Sequence, residues 1–540
     1  MRGPSFAVDA TCASGLLAVH LACQSLRSRE SELALAAGAS LMLNADMSAA
    51  LAQGGVLSPT GTCRFGEVTA DGYGRGEGVA AVLLKPLDRA LADGNPVRAV
   101  LLGSAMTSNG RARSGMASPS VDGQRDVLHR AHLDAGIAPS DVDYVEAHGT
   151  GTAVGDRVEL TALAQALGQG RQPDRPCLVG SVKSNVGHTE PTAGIVGLLK
   201  VALCMQHGWI PRTLHVDTPN PVLEQTGHVL RLARTAVPWP RHENRPELAG
   251  ISCLGATGSN THAVIGAAPA LRSGTEPYTG LLTLPLSARG PDALQQLARR
   301  YLRLLDREQD TGRLRDVCYS AGAHRMHHEL RSAVVALDGE GLLDGLRAIA
   351  WGSCSQAVVT GRAVLPAPRM VWSFPDHGAH PVAIARQPRV RSWTMQVAAA
   401  AVLRDWGIEP DLLRGEGTGR IAIATVNGDI SDEEAAALIA DGGEVRLPRH
   451  VTAGADAGHA DERPVLDIEI GGDRLEPASL HRALAEAYVA GWRLRWDRVQ
   501  PGGSYTRIPT YPWQRRRYWV TSGSSQSGPI THPPGARRAS

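Results

Sequence analysis

The chain has 540 residues, of which 43% are hydrophobic and 20% charged, and its 55 basic and 53 acidic side chains leave a formal net charge of +2. This length is too great for a single hydrophobic core and predicts about two to four domains of a soluble globular type. The balanced charge gives no reason to expect nucleic acid or a membrane surface as a partner.

The cysteines and the apolar runs narrow the class further. Eight cysteines are scattered without a CxxC pair, which argues against a zinc site or a thioredoxin-like redox motif. The first residues do not show the charged segment followed by an apolar segment that is typical of a signal peptide. We also find no apolar run long enough to span a bilayer. These features predict a cytoplasmic protein with reduced thiols and no bound metal.

The first predicted element is a helix from Ser14 to about Arg27, directly after the run Asp9-Ala10-Thr11-Cys12-Ala13-Ser14-Gly15. A thiol at a helix N-terminus feels the positive end of the helix dipole, so we expect a lowered pKa and a reactive thiolate. Small neighbours would let an acyl chain approach closely. The alternative is a buried structural cysteine, and this run alone leaves both interpretations open.

Short apolar runs alternate with helical patterns farther along. Strands are predicted at 97–102 and 142–147 and an amphipathic helix at 124–135, which together indicate a layered α/β domain. His148 follows the second strand in the loop His148-Gly149-Thr150-Gly151-Thr152, where a side chain can meet substrate.

His188 lies in a second small-residue run, Lys183-Ser184-Asn185-Val186-Gly187-His188-Thr189, ahead of a predicted helix at 194–205. Either histidine alone could be an ordinary surface or core residue. The three runs in one chain instead indicate a thiolate nucleophile assisted by two imidazoles, a set suited to acyl transfer through a thioester.

Residues 1–268 resemble the C-terminal part of a β-ketoacyl-acyl-carrier-protein synthase from a type I modular polyketide synthase. The three runs match the three signature motifs of that family in order and approximate spacing, and the blocks at 70–78 and 255–262 also resemble family blocks. The resemblance implies a thiolase-like, layered αβαβα fold with two similar halves, each with a five-stranded sheet ordered 3-2-1-4-5.

The resemblance also implies a transferase that performs decarboxylative Claisen condensation. Cys12 would hold the growing acyl chain as a thioester, while His148 and His188 would donate hydrogen bonds to the malonyl thioester oxygen as an enolate forms. Lys183 would orient the site electrostatically with Glu159, or would form a simple structural ion pair.

The backbone N–H groups of Cys12 and Leu254 would form the oxyanion hole. No cofactor would be bound, because acyl and malonyl-type thioesters arrive on the phosphopantetheine arm of an acyl carrier protein.

Several positions depart from the family pattern. Leu254 replaces a gating phenylalanine, and Arg157 replaces a common proline. Only eleven residues precede Cys12. Residues 2–8 would therefore be strand 3 of the first half, and strands 1 and 2 would be missing from mid-sheet. We therefore expect the chain to lack activity alone or to need a complementing chain, and the homodimer known for the family is disfavoured. The alternative function is a non-catalytic module fragment or scaffold.

The rest of the chain resembles the region that follows the synthase. Residues 269–365 resemble the linker to an acyltransferase, with a strand at 281–286 and a helix at 291–306. Residues 366–480 resemble a shortened, degenerate acyltransferase, or else an independent binding domain. Gly417 stands where the nucleophilic serine should be, and Thr418 would face away. A separate acyltransferase would then supply the extender unit.

The end of the chain completes this pattern. In the segment that resembles the start of an acyltransferase, Asp376 and His377 replace a Gly-Gln pair. Residues 481–521, with a helical stretch at 476–496, resemble the segment after the acyltransferase, whose aromatic-basic run at 511–519 would pack as a clasp over the linker and the synthase. We expect the Ser-, Gly- and Arg-rich residues 522–540 to be disordered.

Overall fold

The computed structural model describes residues 3–110, 118–269, 277–306, 308, 310–376, 386–441, 463–471 and 477–516. The chain divides into two compact units, unit 1 with residues 1–271 and unit 2 with residues 272–540. The predicted disordered tail at 522–540 and His377 lie outside the described residues.

The helices of unit 1 are α1 (Ser14–Arg27), α2 (Asp46–Gln53), α3 (Leu87–Ala92), α4 (Val121–Ala135), α5 (Ala153–Leu167), α6 (Lys183–Val186), α7 (Ala193–His207) and α8 (Pro221–Gln225). Its strands are β1 (Ala34–Ser40), β2 (Gly78–Leu84), β3 (Ala99–Ser108), β4 (Tyr144–Glu146), β5 (Cys177–Gly180), β6 (Trp209–Ile210), β7 (Leu230–Leu232), β8 (Val237–Pro238), β9 (Leu248–Leu254) and β10 (Ser259–Ala267). The elements predicted from the three runs and the flanking periodicity are confirmed at α1, α4, α7, β3 and β4.

A six-stranded sheet in the order β3-β10-β9-β4-β5-β7 forms the centre of unit 1. Strand β4 is parallel to β5 and β9, while β10 is antiparallel to β9 and β3. The predicted five-stranded order 3-2-1-4-5 is wrong for this sheet. Strand β7 adds a sixth member beside β5, and β3 lies on the edge because it pairs only with β10.

Unit 1 is layered, which confirms the α/β class. Leu16 of α1 and Ile195 of α7 share one core with the sheet residue Ile251 on one face. Leu160 of α5 packs with Val145 on the opposite face. A separate antiparallel pair, β1 and β2, covers the outer side of the α1 and α7 layer.

Residues 3–8 form no strand, so the prediction of strand 3 at residues 2–8 is wrong for the part that the structure describes. Phe6 is 68% exposed there. An isolated strand gains no ladder hydrogen bonds and buries little apolar surface, so this segment has no local reason to become one.

Unit 2 contains the strands β11 (Leu282–Ala288), β12 (Leu330–Ala336), β13 (Val358–Arg362), β14 (Arg369–Phe374), β15 (Leu412–Gly415) and β16 (Val465–Glu469). Its helices are α9 (Pro291–Leu305), α10 (Thr311–Ala323), α11 (Gly339–Trp351), α12 (Arg386–Asp405), α13 (Thr418–Asn427), α14 (Asp432–Asp441), α15 (Pro477–Ala490) and α16 (Trp496–Val499). The sheet β11-β12-β13 is antiparallel, and the sheet β15-β14-β16 is parallel.

The aromatic segment near the end packs on the region predicted as the linker. Arg289 N–H donates to the Tyr511 hydroxyl at 3.1 Å, and the Tyr511 ring lies edge-on to His328 with centroids 5.1 Å apart. Arg325 donates to the Ile508 carbonyl at 3.1 Å. These contacts lie within unit 2, and the predicted packing over the synthase stays a prediction.

Candidate active site

Cys12 lies in a short 3-10 turn, Thr11–Ala13, that runs directly into α1. Thr11 has φ 51°, a costly value for a β-branched residue, and is held there by Asp9, whose carboxylate accepts from the Thr11 N–H at 2.8 Å. The Ser14 hydroxyl donates to the Thr11 carbonyl at 2.6 Å and accepts from Ala10 N–H at 2.8 Å. Cys12, the candidate nucleophile, therefore lies on a strained, hydrogen-bonded turn just before the buried first turn of α1.

His188 contacts the sulfur of Cys12. Its Nε2 lies 3.2 Å from Cys12 Sγ, and its Nδ1 lies 3.2 Å from the Glu190 N–H. A backbone N–H can only donate, so Nδ1 is the unprotonated nitrogen and Nε2 carries the hydrogen. The Cys12 sulfur therefore accepts a hydrogen bond from His188.

The block at 70–78 holds the His188 backbone. His188 N–H donates to the Gly74 carbonyl at 2.7 Å, and Gly76 N–H donates to the His188 carbonyl at 2.8 Å. A Cβ on Gly76 would overlap the Val186 carbonyl, so only glycine permits this close pairing. Tyr73 packs edge-on to the imidazole with ring centroids 4.9 Å apart.

His148 lies beside His188, with ring centroids 5.4 Å apart and planes at 84°. Two carboxylates on α5 hold its loop. Glu159 accepts from the N–H groups of His148 and Gly149 at 2.7 and 2.8 Å. Asp156 accepts from Gly151 N–H at 3.0 Å.

Asp156 was not among the predicted site residues. It also accepts from the N–H of Gly66, at 3.0 Å. Its three-residue spacing from Glu159 places both carboxylates on one face of α5. A helical prediction for this segment would have revealed the pair, but no helix is predicted there from the sequence.

Charge and burial set the protonation of the histidines. Burial lowers the pKa of both His148 and His188 well below the usual range, and the Lys183 charge lowers each further. Burial raises the pKa of Glu159 to about 6, and the charge of the buried Lys183 offsets part of that rise. Both oxygens of Glu159 bind backbone N–H groups, and the role of Lys183, orienting the site or forming a structural ion pair, stays a prediction.

The pKa of the Cys12 thiol differs from the lowered value that the sequence predicted. Burial raises the pKa of Cys12 to about 11, and the Glu190 carboxylate raises it while the Lys183 charge lowers it in part. The expected lowering by the helix dipole is therefore wrong in sign for the free site, because the cost of charging a buried sulfur is larger.

One of the two predicted oxyanion donors, the N–H of Leu254, is placed differently. The backbone N–H groups of Cys12 and Ala256 lie against Cys12 Sγ. The N–H of Leu254 lies against the sulfur of Cys253 instead. Ala256, which is not among the predicted site residues, thus supplies the second backbone N–H beside the Cys12 sulfur.

The segment around Gly417, where an acyltransferase would have its nucleophilic serine, forms a strand-to-helix turn without a nucleophilic side chain at that position. Strand β15 ends at Gly415, Gly417 has φ 50° and ψ −122°, and α13 begins at Thr418. A Cβ on Gly417 would overlap the carboxylate of Asp376. Thr418 is buried, and its hydroxyl donates to the same carboxylate at 3.0 Å. The space of a nucleophilic side chain is therefore filled by Asp376.

Metal-binding clusters and membrane spans are both absent from the part of the chain that the structure describes. No group of three or more His, Cys, Asp or Glu side chains is placed to hold a metal ion among those residues. No helix among the described residues is both long and apolar enough to cross a bilayer.

Three family models match segments of this chain, and two of them are β-ketoacyl synthase domains. Residues 1–90 match the N-terminal domain of β-ketoacyl synthases and residues 98–217 match the C-terminal domain. Residues 282–346 match the CurL-like polyketide synthase C-terminal family.

Curated relatives are much longer than this chain. A phenolphthiocerol/phthiocerol polyketide synthase of Mycobacterium bovis is 36% identical over 497 residues, which cover 83% of this chain and 26% of that protein. Polyketide synthase GfsA of Streptomyces halstedii is 36% identical over 533 residues, covering 87% of this chain and 7% of that protein. The chain thus spans about a quarter or less of these relatives.

Solved ketosynthases share the fold and place the chain in a family. A ketosynthase domain from oxazolomycin synthesis in Streptomyces albus matches with a TM-score of 0.62 and 34% identity, over 70% of this chain and 64% of that one. The ketosynthase from module 6 of the bacillaene synthase of Bacillus subtilis matches with a TM-score of 0.68 and 25% identity, over 96% of this chain and 75% of that one. The chain belongs to the β-ketoacyl synthase family, in the group found in type I modular polyketide synthases.

Proposed function

We propose that this chain carries out the condensation step of polyketide assembly, joining a malonyl-type unit to an acyl chain held on Cys12. The observation that supports this most directly is the contact of 3.2 Å between Cys12 Sγ and the protonated Nε2 of His188, with His148 beside it. The acyl groups would arrive as thioesters on the phosphopantetheine arm of an acyl carrier protein.

The site supports each step of that reaction. The Cys12 sulfur attacks the acyl thioester, forms a new thioester and releases the phosphopantetheine thiol, which takes up the proton. A malonyl thioester then loses carbon dioxide, and a donor N–H stabilises the enolate oxygen. The enolate carbon attacks the Cys12 thioester, and the Cys12 thiolate leaves. The backbone N–H groups of Cys12 and Ala256, which lie against the Cys12 sulfur, would stabilise the tetrahedral oxyanion of that last step.

Unit 2 supports the need for a separate acyltransferase. Glycine at 417 offers no side chain that could form an acyl-enzyme, and Asp376 occupies the space beside it. We therefore propose that a second enzyme loads the extender unit.

The test is to incubate the purified chain with acyl-carrier and malonyl-carrier protein and to follow both Cys12 acylation and the β-ketoacyl product by mass spectrometry. Cys12→Ala should abolish both signals. Cys177→Ala is the matched control, because Cys177 is equally small, fully buried in β5 and outside the site. Acylation that survives in Cys12→Ala would refute the proposal.

A second candidate is a chain that needs a complementing polypeptide, and one observation favours it. Leu35 on β1 faces Leu83 on β2, and with Val79 they form an apolar face exposed by 48%, 62% and 73% respectively. Adjacent exposed apolar side chains of this kind mark surfaces that another chain covers. Condensation by the purified chain alone would exclude this candidate.

A further inference from the structure

Cys253 on β9 is the buried group that the reaction above does not use. Its thiol donates to the Cys12 carbonyl at 2.9 Å, and its sulfur lies 3.9 Å from Nδ1 of His148. The side chain is fully buried. It therefore joins the backbone of the nucleophile to one of the two histidines.

The hydrogen of this thiol can serve only one acceptor. Burial raises the pKa of Cys253 to about 12, so the group keeps its hydrogen across the working pH range. The short distance assigns that hydrogen to the Cys12 carbonyl, and Leu254 N–H points at the sulfur. Toward His148 the sulfur then presents only a lone pair, which favours a protonated Nδ1 on that imidazole.

We propose that Cys253 is a positioning residue that holds His148 with Nδ1 protonated, so that His148 presents an unprotonated Nε2 while His188 presents an N–H. The family resemblance implies that both imidazoles donate hydrogen bonds to the malonyl thioester oxygen. In the proposal for this chain, His188 is the donor and His148 is a proton acceptor. The proposal rests on the proposed function for its purpose, but not for its test.

The separation gives His148 a specific task. His188 Nε2 already carries a hydrogen, so neutral His188 cannot accept the proton that Cys12 releases when its sulfur attacks the acyl thioester. In the proposal, the unprotonated Nε2 of His148 would accept that proton and return it to the departing phosphopantetheine thiol. No proton is gained or lost in the exchange.

Nitrogen NMR of the ring-labelled histidines tests the tautomer without any turnover. The His148 signals, assigned by their loss in His148→Asn, should show a protonated Nδ1 and an unprotonated Nε2 near neutral pH. Cys253→Ala should shift them toward the other tautomer. Cys253→Ser should keep them, since a hydroxyl can also donate to Cys12 and accept from His148. The control Cys177→Ala should change nothing.

A kinetic arm follows the rate of Cys12 acylation against pH. Cys253→Ala should slow acylation by about tenfold, the cost of one buried hydrogen bond, and alter the pH profile, while Cys253→Ser restores most of the rate. A wild-type His148 with Nε2 protonated would overturn the proposal, as would a Cys253→Ala spectrum identical to wild type. A chain with the expected tautomers but no condensation product would instead refute the proposed function alone.

Discussion

Cys12 should react slowly with alkylating reagents in the free protein. Burial raises its pKa from 9.0 to about 11. Each pKa unit is a factor of ten in thiolate, so near neutral pH the free site holds about 100-fold less thiolate than an ordinary cysteine. Alkylation of Cys12 by iodoacetamide should be slower by about that factor and should rise with pH up to about 11.

The chain carries its own reference for this measurement. Cys354 is exposed, and the peptides of both cysteines can be quantified in one digest by mass spectrometry. Lys183→Met should slow the labelling of Cys12 further, because the lysine charge lowers that pKa, and Glu190→Gln should speed it, because the carboxylate raises it. If Cys12 is labelled as fast as Cys354 near neutral pH, the helix dipole and the His188 hydrogen bond outweigh burial and our reasoning is wrong.

Three further predictions concern stability, each read by chemical denaturation. Gly417→Ala should destabilise unit 2 by about 2–5 kcal/mol, since its Cβ overlaps Asp376 at a positive φ; an undiminished cost in an Asp376→Gly background would contradict this account. Glu159→Ala leaves two loop N–H groups without a partner, which costs stability, but it also removes the cost of burying a carboxylate, whose pKa is raised to about 6. We expect the free energy of unfolding of unit 1 to fall by about 1–3 kcal/mol. An unchanged value would mean that the loop does not depend on Glu159. His132→Leu should stabilise unit 1 increasingly as the pH falls below 6.5. Burial lowers the pKa of His132 to about 4, so between pH 6.5 and 4 its side chain is protonated in the unfolded chain but not in the folded one. This difference lowers the wild-type free energy of unfolding by about 2 kcal/mol near pH 5. The same pH dependence of stability in wild type and His132→Leu would refute the prediction.

Local signals predicted much of the molecule. The start of α1 at Ser14 and the buried α7 follow from apolar periodicity, and the three small-residue runs do place Cys12, His148 and His188 together. Periodicity reports which face of an element is buried, so it predicts helices and strands well.

The supporting groups could not be read in the same way, because they depend on contacts between distant segments. Asp156 binds the N–H of Gly66, 90 positions away, and Cys253 binds Cys12, 241 positions away. The pKa of Cys12 also depends on how much chain covers the sulfur, which the adjacent residues do not determine. Strand order failed for the same reason, because pairing partners are chosen across the whole unit.

The two carboxylates of α5 have a consequence for the entropy of catalysis. Glu159 and Asp156 bind the amides of residues 148, 149 and 151, so the loop beside the nucleophile is ordered when the chain folds. A substrate that binds there would lose less of its binding energy to ordering the loop. Those three amides should exchange with solvent deuterium only when α5 itself opens. The fraction of molecules with an ordered loop would then depend on the local stability of that helix.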